Sequence, residues 1–166
     1  MEKTIIKNIG TIVSGDIEQP IIEGTVVVVE DGKIAAIGGE ELAADTENAV
    51  VIDAKGITLT PGLWDSHVHT TLGDYAPRQK TLDFISSALH GGITTMISAG
   101  ECHTPGRPKD VAGTKALAIV AHKSFENVRP AGVKVHGGAL ILEKGLEEKD
   151  FAELEKEGVW LVGEIG

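Results

Sequence analysis

The chain has 166 residues, enough for one ordinary domain or two small ones, and 42% apolar with 24% charged residues suits a soluble globular protein. A formal net charge of −10 excludes a nucleic-acid surface, which needs clustered lysine and arginine. The single cysteine, Cys102, excludes an internal disulfide and points to a reducing, cytoplasmic compartment, while no stretch reaches the ~18 apolar residues of a membrane span and the N-terminus lacks the apolar core of a signal peptide.

Residues 4 to 56 read as all-β. Segments 4–8 and 10–14 are short β-prone runs, and GTVVVVE at 24–30 is a strong strand of β-branched residues. Asp31-Gly32 is the strongest short hairpin signal, with 33–37 as its return strand. One helical turn is expected at 40–45 and a further strand at AVVID, 49–53. Metal-ligand and acid clusters are absent there, so this part, 1–57, is expected to be a small β-sandwich-like domain with structural work only.

The stretch 58–70, TLTPGLWDSHVHT, reads as a buried strand ending in His67-Val68-His69. Alternation along a strand puts the two imidazoles on one side, with Asp65 one step deeper. Two neutral imidazoles so placed can chelate one divalent ion. After Thr70 helices and strands alternate. A helix is expected at 77–90, with Leu82, Ile85, Ala88 and Leu89 on one face and Gly91-Gly92 ending it. A strand follows at 93–99, then a loop at 101–108. Next come a helix at 110–127 carrying Ala116, Leu117, Ile119 and Val120, and a strand at 132–137 running into a loop. A very acidic helix at 147–157 and a strand at 159–165 complete the chain.

This alternation predicts a parallel sheet. Residues 58–166 therefore read as the first half of a TIM-like (β/α)8 barrel, four strands and incomplete, and the whole chain as α/β. Active sites of such barrels sit at the C-terminal ends of the strands. His67 and His69, Ser98, His136 and Glu164 fall at those ends in turn. Glu164 closes an apolar strand, where a carboxylate needs a cation or hydrogen bonds to offset desolvation; the alternative is an exposed residue at a frayed end. His67, His69 and Glu164 are thus the metal-ligand candidates.

His136 has two readings, a substrate contact or a hydrogen-bonded core histidine. Lys134 shares its face and could bind substrate or, if carbamylated, metal, although its place on the third strand counts against the latter. Arg78, just after the first strand beside Asp74 and Tyr75, and Arg107 in the next loop could each grip a substrate carboxylate or pair with an acid of the chain. The neighbours Cys102 and His103 read as incidental, and His90 and His122 as helix-surface or packing residues.

The order of a small sheet, TPGLWDSHVH and a βα series resembles the amidohydrolase superfamily of metal-dependent hydrolases. The long blocks GDYAPRQKTLDFISSALHGGITTMISAG, GTKALAI, RPAGVKVHGGALILEKGL and EGVWLVGEIG are similar to its enamidase branch, bacterial enzymes of nicotinate fermentation. That resemblance implies two divalent ions, zinc and iron, with His67 and His69 on one and Glu164 on both, in place of the carbamylated lysine of many members. It implies a cyclic amide substrate, ring opening of 6-oxo-1,4,5,6-tetrahydronicotinate, and a homotetramer. The family's further two histidines and its general-base aspartate belong to later barrel strands, so the chain is expected to be the N-terminal portion of a longer enzyme and inactive alone. Dihydropyrimidinase-, imidazolonepropionase- or dipeptidase-like hydrolysis, or a non-catalytic module, are the alternatives.

Overall fold

The computed structural model describes residues 2–70, 80–104 and 106–166. Arg78, Asp74 and Tyr75 lie outside the described residues. The chain divides into two compact units, Met1–Pro61 and Gly62–Gly166.

The first unit contains β1 (Lys3–Lys7), β2 (Thr11–Val13), β3 (Ile21–Ile22), β4 (Val26–Glu30), β5 (Lys33–Gly38), a 3-10 turn at Glu40–Ala43, β6 (Ala49–Asp53) and β7 (Thr58–Leu59). They form a four-stranded sheet in the order β5-β4-β1-β6 and a three-stranded sheet in the order β3-β2-β7. The hairpin between β4 and β5 pairs Glu30 with Lys33, and both turn residues have positive φ, 48° at Asp31 and 76° at Gly32. Such a turn matches the right-handed twist of its strands, which is why Asp-Gly marks it in the sequence. The unbroken valine run of β4 has a physical reason, since the strand is covered on both faces. Val27 packs with Ile9, Ile12 and Ala54, whereas Val26 and Val28 pack with Ile5 beneath Leu42 and Ala43 of the 3-10 turn.

The second unit contains β8 (Leu63–Val68), α1 (Lys80–His90), β9 (Ile93–Ser98), α2 (Val111–Glu126), a 3-10 turn at Pro130–Gly132, β10 (Lys134–His136), β11 (Leu140–Leu142), α3 (Glu148–Lys156) and β12 (Val162–Ile165). Among the described residues all of its strand pairs are parallel: β8 with β9, β9 with β10, and β11 with β12. The described strands do not close a barrel. They form two short sheets, in the orders β10-β9-β8 and β11-β12.

The third barrel strand differs from its expected form. It is split at Gly137-Gly138, with β10 paired to β9 before the break and β11 paired to β12 after it. Gly138 has φ of 81°, a conformation that glycine alone adopts readily, and its α-carbon abuts the backbone of α2, where a Cβ would lie 2.3 Å from the Ala118 carbonyl oxygen. The predicted strand 58–70 is likewise two pieces. Thr58–Leu59 joins the first unit's sheet and Leu63–Val68 the second's. β8, an edge strand of its sheet, was expected to be buried, yet Leu63 and Trp64, whose side chains point to opposite faces, are both exposed.

The helices cover one side of this sheet. Ile85 of α1, Met96 of β9, Phe125 of α2, and Val68, Val133 and Val135 form one cluster, with Ala88 and Leu89 packed against it. Along α2 the buried face is Thr114, Ala118, Ala121 and Phe125, whereas Val120 is exposed. Asp110 caps this helix, its Oδ1 accepting the Gly113 N–H at 2.9 Å.

Lys115 of α2 donates to Asp150 Oδ1 of α3 at 2.7 Å, and Asp150 Oδ2 accepts the Glu147 backbone N–H at 2.9 Å. The Lys115 ammonium, and then the backbone donor, hold the Asp150 carboxyl below its ordinary range. A carboxylate with a lowered folded-state pKa contributes stability that is present above its unfolded value, about 3.9, and lost as pH falls through the folded value. Asp150→Asn is therefore expected to lower the urea midpoint at pH 7, with the gap to wild type narrowing below about pH 4. A gap that stays constant with pH would assign the loss to packing rather than to charge.

Candidate metal centre

The second unit brings three of the sequence-predicted residues together. His67 lies near the C-terminal end of β8, His69 just beyond that end, and Glu164 on β12. His67 Nε2 stands 3.0 Å and His69 Nε2 3.5 Å from Glu164 Oε1. One donor atom from each of the three side chains lies within 4.8 Å of the others. The rings of His67 and His69 meet edge to face with centroids 5.2 Å apart.

Local structure explains the convergence. The side chain of Asp65, two residues before His67, accepts the His67 backbone N–H at 3.1 Å and so shapes the strand end. The Val68 carbonyl accepts the Ala99 N–H at 2.8 Å, tying the end of β8 to the residue after β9. Ser98 is buried and its hydroxyl accepts the Gly100 N–H at 3.1 Å, which makes it a turn-former and removes it from the set of strand-end groups facing the site. The Gly100 carbonyl in turn lies 3.0 Å from His69 Nδ1. An Nδ1–H donated to that carbonyl leaves the Nε2 lone pair free, the arrangement by which an outer carbonyl usually orients a metal-bound imidazole.

The donor set fits a divalent ion. Two ligands each ~2.1 Å from such an ion stand roughly 3.0–3.4 Å apart across a right or tetrahedral angle, close to the separations seen. The triad is also accessible in this chain, with the His67 side chain 58% and that of Glu164 36% exposed.

The substrate-binding candidates fall in different places. His136 ends β10 and packs edge to face against Trp160, centroids 6.4 Å apart. Burial, and then the positive charges of Lys134 and Arg129, lower its pKa, so it is neutral at pH 7. Lys134, at the start of the same strand, is exposed. Arg107 donates to Glu143 Oε1 at 2.6 Å with both side chains largely buried, so here it pairs with an acid of the chain. His90 is exposed at the end of α1, and His122 pairs with Glu126 one helical turn along α2.

The pair read as incidental in the sequence, Cys102 and His103, lies against His69. Cys102 Sγ lies 3.2 Å from His69 Nδ1, and the His103 ring meets the His69 ring edge to face at 4.9 Å. Burial, and next the Glu164 charge, push the Cys102 thiol up, so it is protonated at neutral pH and is not a ready nucleophile. The signal for this pair was position, in the loop after the second strand, rather than composition.

No family model matches the chain. Across all 166 residues it is 72% identical to the enamidase of Eubacterium barkeri, of which it spans 43%. It is 29% identical over 140 residues, 84% of its length, to a dihydroorotase of Elusimicrobium minutum, covering 30% of that protein. Among solved structures, that of an enamidase described as a new member of the amidohydrolase superfamily superposes with a TM-score of 0.91 at 72% identity, over 99% of this chain and 43% of that one. The chain spans less than half the length of these relatives. With 72% identity over its whole length, a matching fold, and His-x-His and a glutamate meeting at the strand ends, the chain belongs to the amidohydrolase superfamily.

Proposed function

We propose that the chain supplies the first metal-ligand set of a hydrolase that opens a cyclic amide, an enamidase-like activity on 6-oxo-1,4,5,6-tetrahydronicotinate. The observation that carries this reading is the meeting of His67, His69 and Glu164, from strands nearly a hundred residues apart, about one cation-sized space. Its support is the 72% identity to an enamidase.

His67 and His69 would hold one divalent ion and Glu164 would bridge to a second, zinc and iron being the pair implied by resemblance. Ions held there supply Lewis acidity, lowering the pKa of a water and polarising a carbonyl. The chain's own groups do the rest. Gly100 fixes the tautomer of His69. Glu164 supplies the negative charge that offsets that of the ions. His136, kept neutral, can donate a hydrogen bond to a substrate carboxylate at the same end of the sheet, with Lys134 adding positive charge along the strand. Arg78 and Arg107 stand as further carboxylate partners, Arg107 only on release from Glu143.

Ring opening by one water leaves an enamine, and a second water converts that to 2-formylglutarate and ammonia. Ammonia release therefore discriminates substrates. The complete protein carrying this chain, reconstituted with zinc and iron, is expected to release ammonia from the tetrahydropyridone. The dihydroorotase likeness favours a second reading, a cyclic ureide. Opening of dihydroorotate or a dihydropyrimidine with no ammonia from the tetrahydropyridone would replace the proposed substrate. Failure to hydrolyse any of them in a metal-loaded protein would favour a non-catalytic role.

A further inference from the structure

Around His69 the two ring nitrogens face different neighbours. Nε2 faces Glu164, at 3.5 Å, and Nδ1 the Gly100 carbonyl, at 3.0 Å, while Cys102 Sγ lies beside the ring, 3.2 Å from Nδ1 and 3.9 Å from Nε2. His69, Cys102 and His103 form a second set of metal-ligating side chains whose donor atoms lie within 4.8 Å of one another. A thiolate ~2.3 Å and an imidazole ~2.0 Å from one ion stand roughly 3.1–3.5 Å apart, so the 3.2 Å between Cys102 Sγ and Nδ1 falls in that range, and the ring has only to turn from the Gly100 carbonyl for Nδ1 to meet the same ion. Both Cys102 and His103 belong to the loop after β9, so no strand has to move for them to close on an ion.

We infer that Cys102, His103 and Nδ1 of His69 form a second site, selective for a thiophilic divalent ion and sharing His69 with the hydrolytic triad. The sulfur sets the selectivity, because soft thiolate favours soft cations over the harder ions that suit carboxylate. Binding displaces the thiol proton to solvent as the metal–sulfur bond forms. It also takes Nδ1 away from the Gly100 carbonyl and places the ring proton on Nε2. An imidazole in that state cannot ligate through Nε2, so an ion here excludes His69 from the first triad. The site is thus an inhibitory one with respect to the hydrolytic reading on which this consequence rests.

Cadmium is the probe, because cadmium thiolates absorb in the ultraviolet. The 166-residue chain, freed of metal with a chelator, is titrated with Cd2+ and the charge-transfer band followed. Wild type is expected to show a saturable band of one thiolate, and Cys102→Ser none. His103→Gln should bind about tenfold more weakly or worse, as loss even of an outer-sphere partner costs a metal site about that much. His67→Asn, which damages only the hydrolytic triad that competes for His69, should keep the band with an affinity equal to or tighter than that of wild type, so the outcome does not depend on the hydrolase reading. The inference is overturned by a wild type with no band, by a His103→Gln chain that binds as tightly as wild type, which would mean a lone thiol, or by a band that vanishes in His67→Asn, which would make Cys102 part of the first triad.

Discussion

Replacing His67 and His69 together by asparagine is expected to abolish binding of a divalent ion at the hydrolytic triad. Even an outer partner of a metal ligand is worth about 10–100-fold in affinity, so removing two of three ligands should exceed that range. The fold should survive, because the His67 side chain is 58% exposed and neither ring belongs to the valine, isoleucine, methionine and phenylalanine cluster behind the strands. Metal content after dialysis, together with competition against a chromophoric chelator, measures the loss, and the urea midpoint checks the fold. His90→Gln is the matched control, an exposed histidine at the end of α1 that should change neither reading. Wild-type affinity in the double variant would remove the triad as a metal site and, with it, the support for hydrolysis. Glu164→Gln probes the third ligand separately. It keeps the shape of the side chain and removes the charge that offsets the ion's own, so affinity should fall while the 3.0 Å contact to His67 can persist as a neutral hydrogen bond.

Elements with strong local signals were legible in the sequence. The valine run of β4 and the Asp31-Gly32 turn marked a hairpin without reference to anything distant, and AVVID emerged as β6 with its expected bounds. The helices α2 and α3 lie within one residue of their expected limits, because Asp110 and Glu147 cap them and Asn127 and Glu157 end them. Where the outcome depended on partners, the sequence misled. A continuous run from Thr58 to Thr70 looked like one strand, but its two ends pair with different sheets. The face that α2 buries depends on what lies beneath it, so Ala118, Ala121 and Phe125 are inside although Val120 is the more hydrophobic choice than either alanine. β11 was missed for the same reason, since Leu140–Leu142 becomes a strand only through pairing with β12.

The site shows the same division. His-x-His is local, and the alternation of a strand was enough to place both rings on one side. Glu164 could be nominated because an acid at the end of an apolar strand needs a partner, and its contact with His67 supplies one across ninety-seven positions. Arg107 could not be assigned from its loop position, because its partner Glu143 is thirty-six residues away and nothing local announces it. The surroundings of Cys102 were hidden for a related reason. Its adjacent histidine drew the eye, while the residue that gives the pair meaning is His69, thirty-three positions earlier.

The placement of Glu164 rests on a neighbour with no side chain, and this gives the second large effect. A Cβ on Gly163 would stand 2.0 Å from the Ala99 carbonyl oxygen, 2.3 Å from its carbonyl carbon and 2.5 Å from its Cα. These are backbone atoms, so no rotamer change relieves the clash, and β12 or the segment after β9 must move by about 1.4 Å to bring 2.0 Å up to the 3.4 Å of ordinary contact. Either movement reaches the triad. Displacing β12 carries Glu164 with it, and displacing Ala99 pulls on the Val68 carbonyl it donates to, one residue from each histidine. Gly163→Ala is therefore expected to lower metal affinity by about 10–100-fold, and hydrolysis by the complete protein by about 10²-fold. The overpacking should cost stability only about 1–3 kcal/mol. The split between these readings is the test. A variant that loses stability but holds metal as wild type does would show that the triad tolerates the shift. A variant that keeps its urea midpoint while losing metal would show that the close approach of β12 to Ala99 serves the geometry of the ligands more than the stability of the fold.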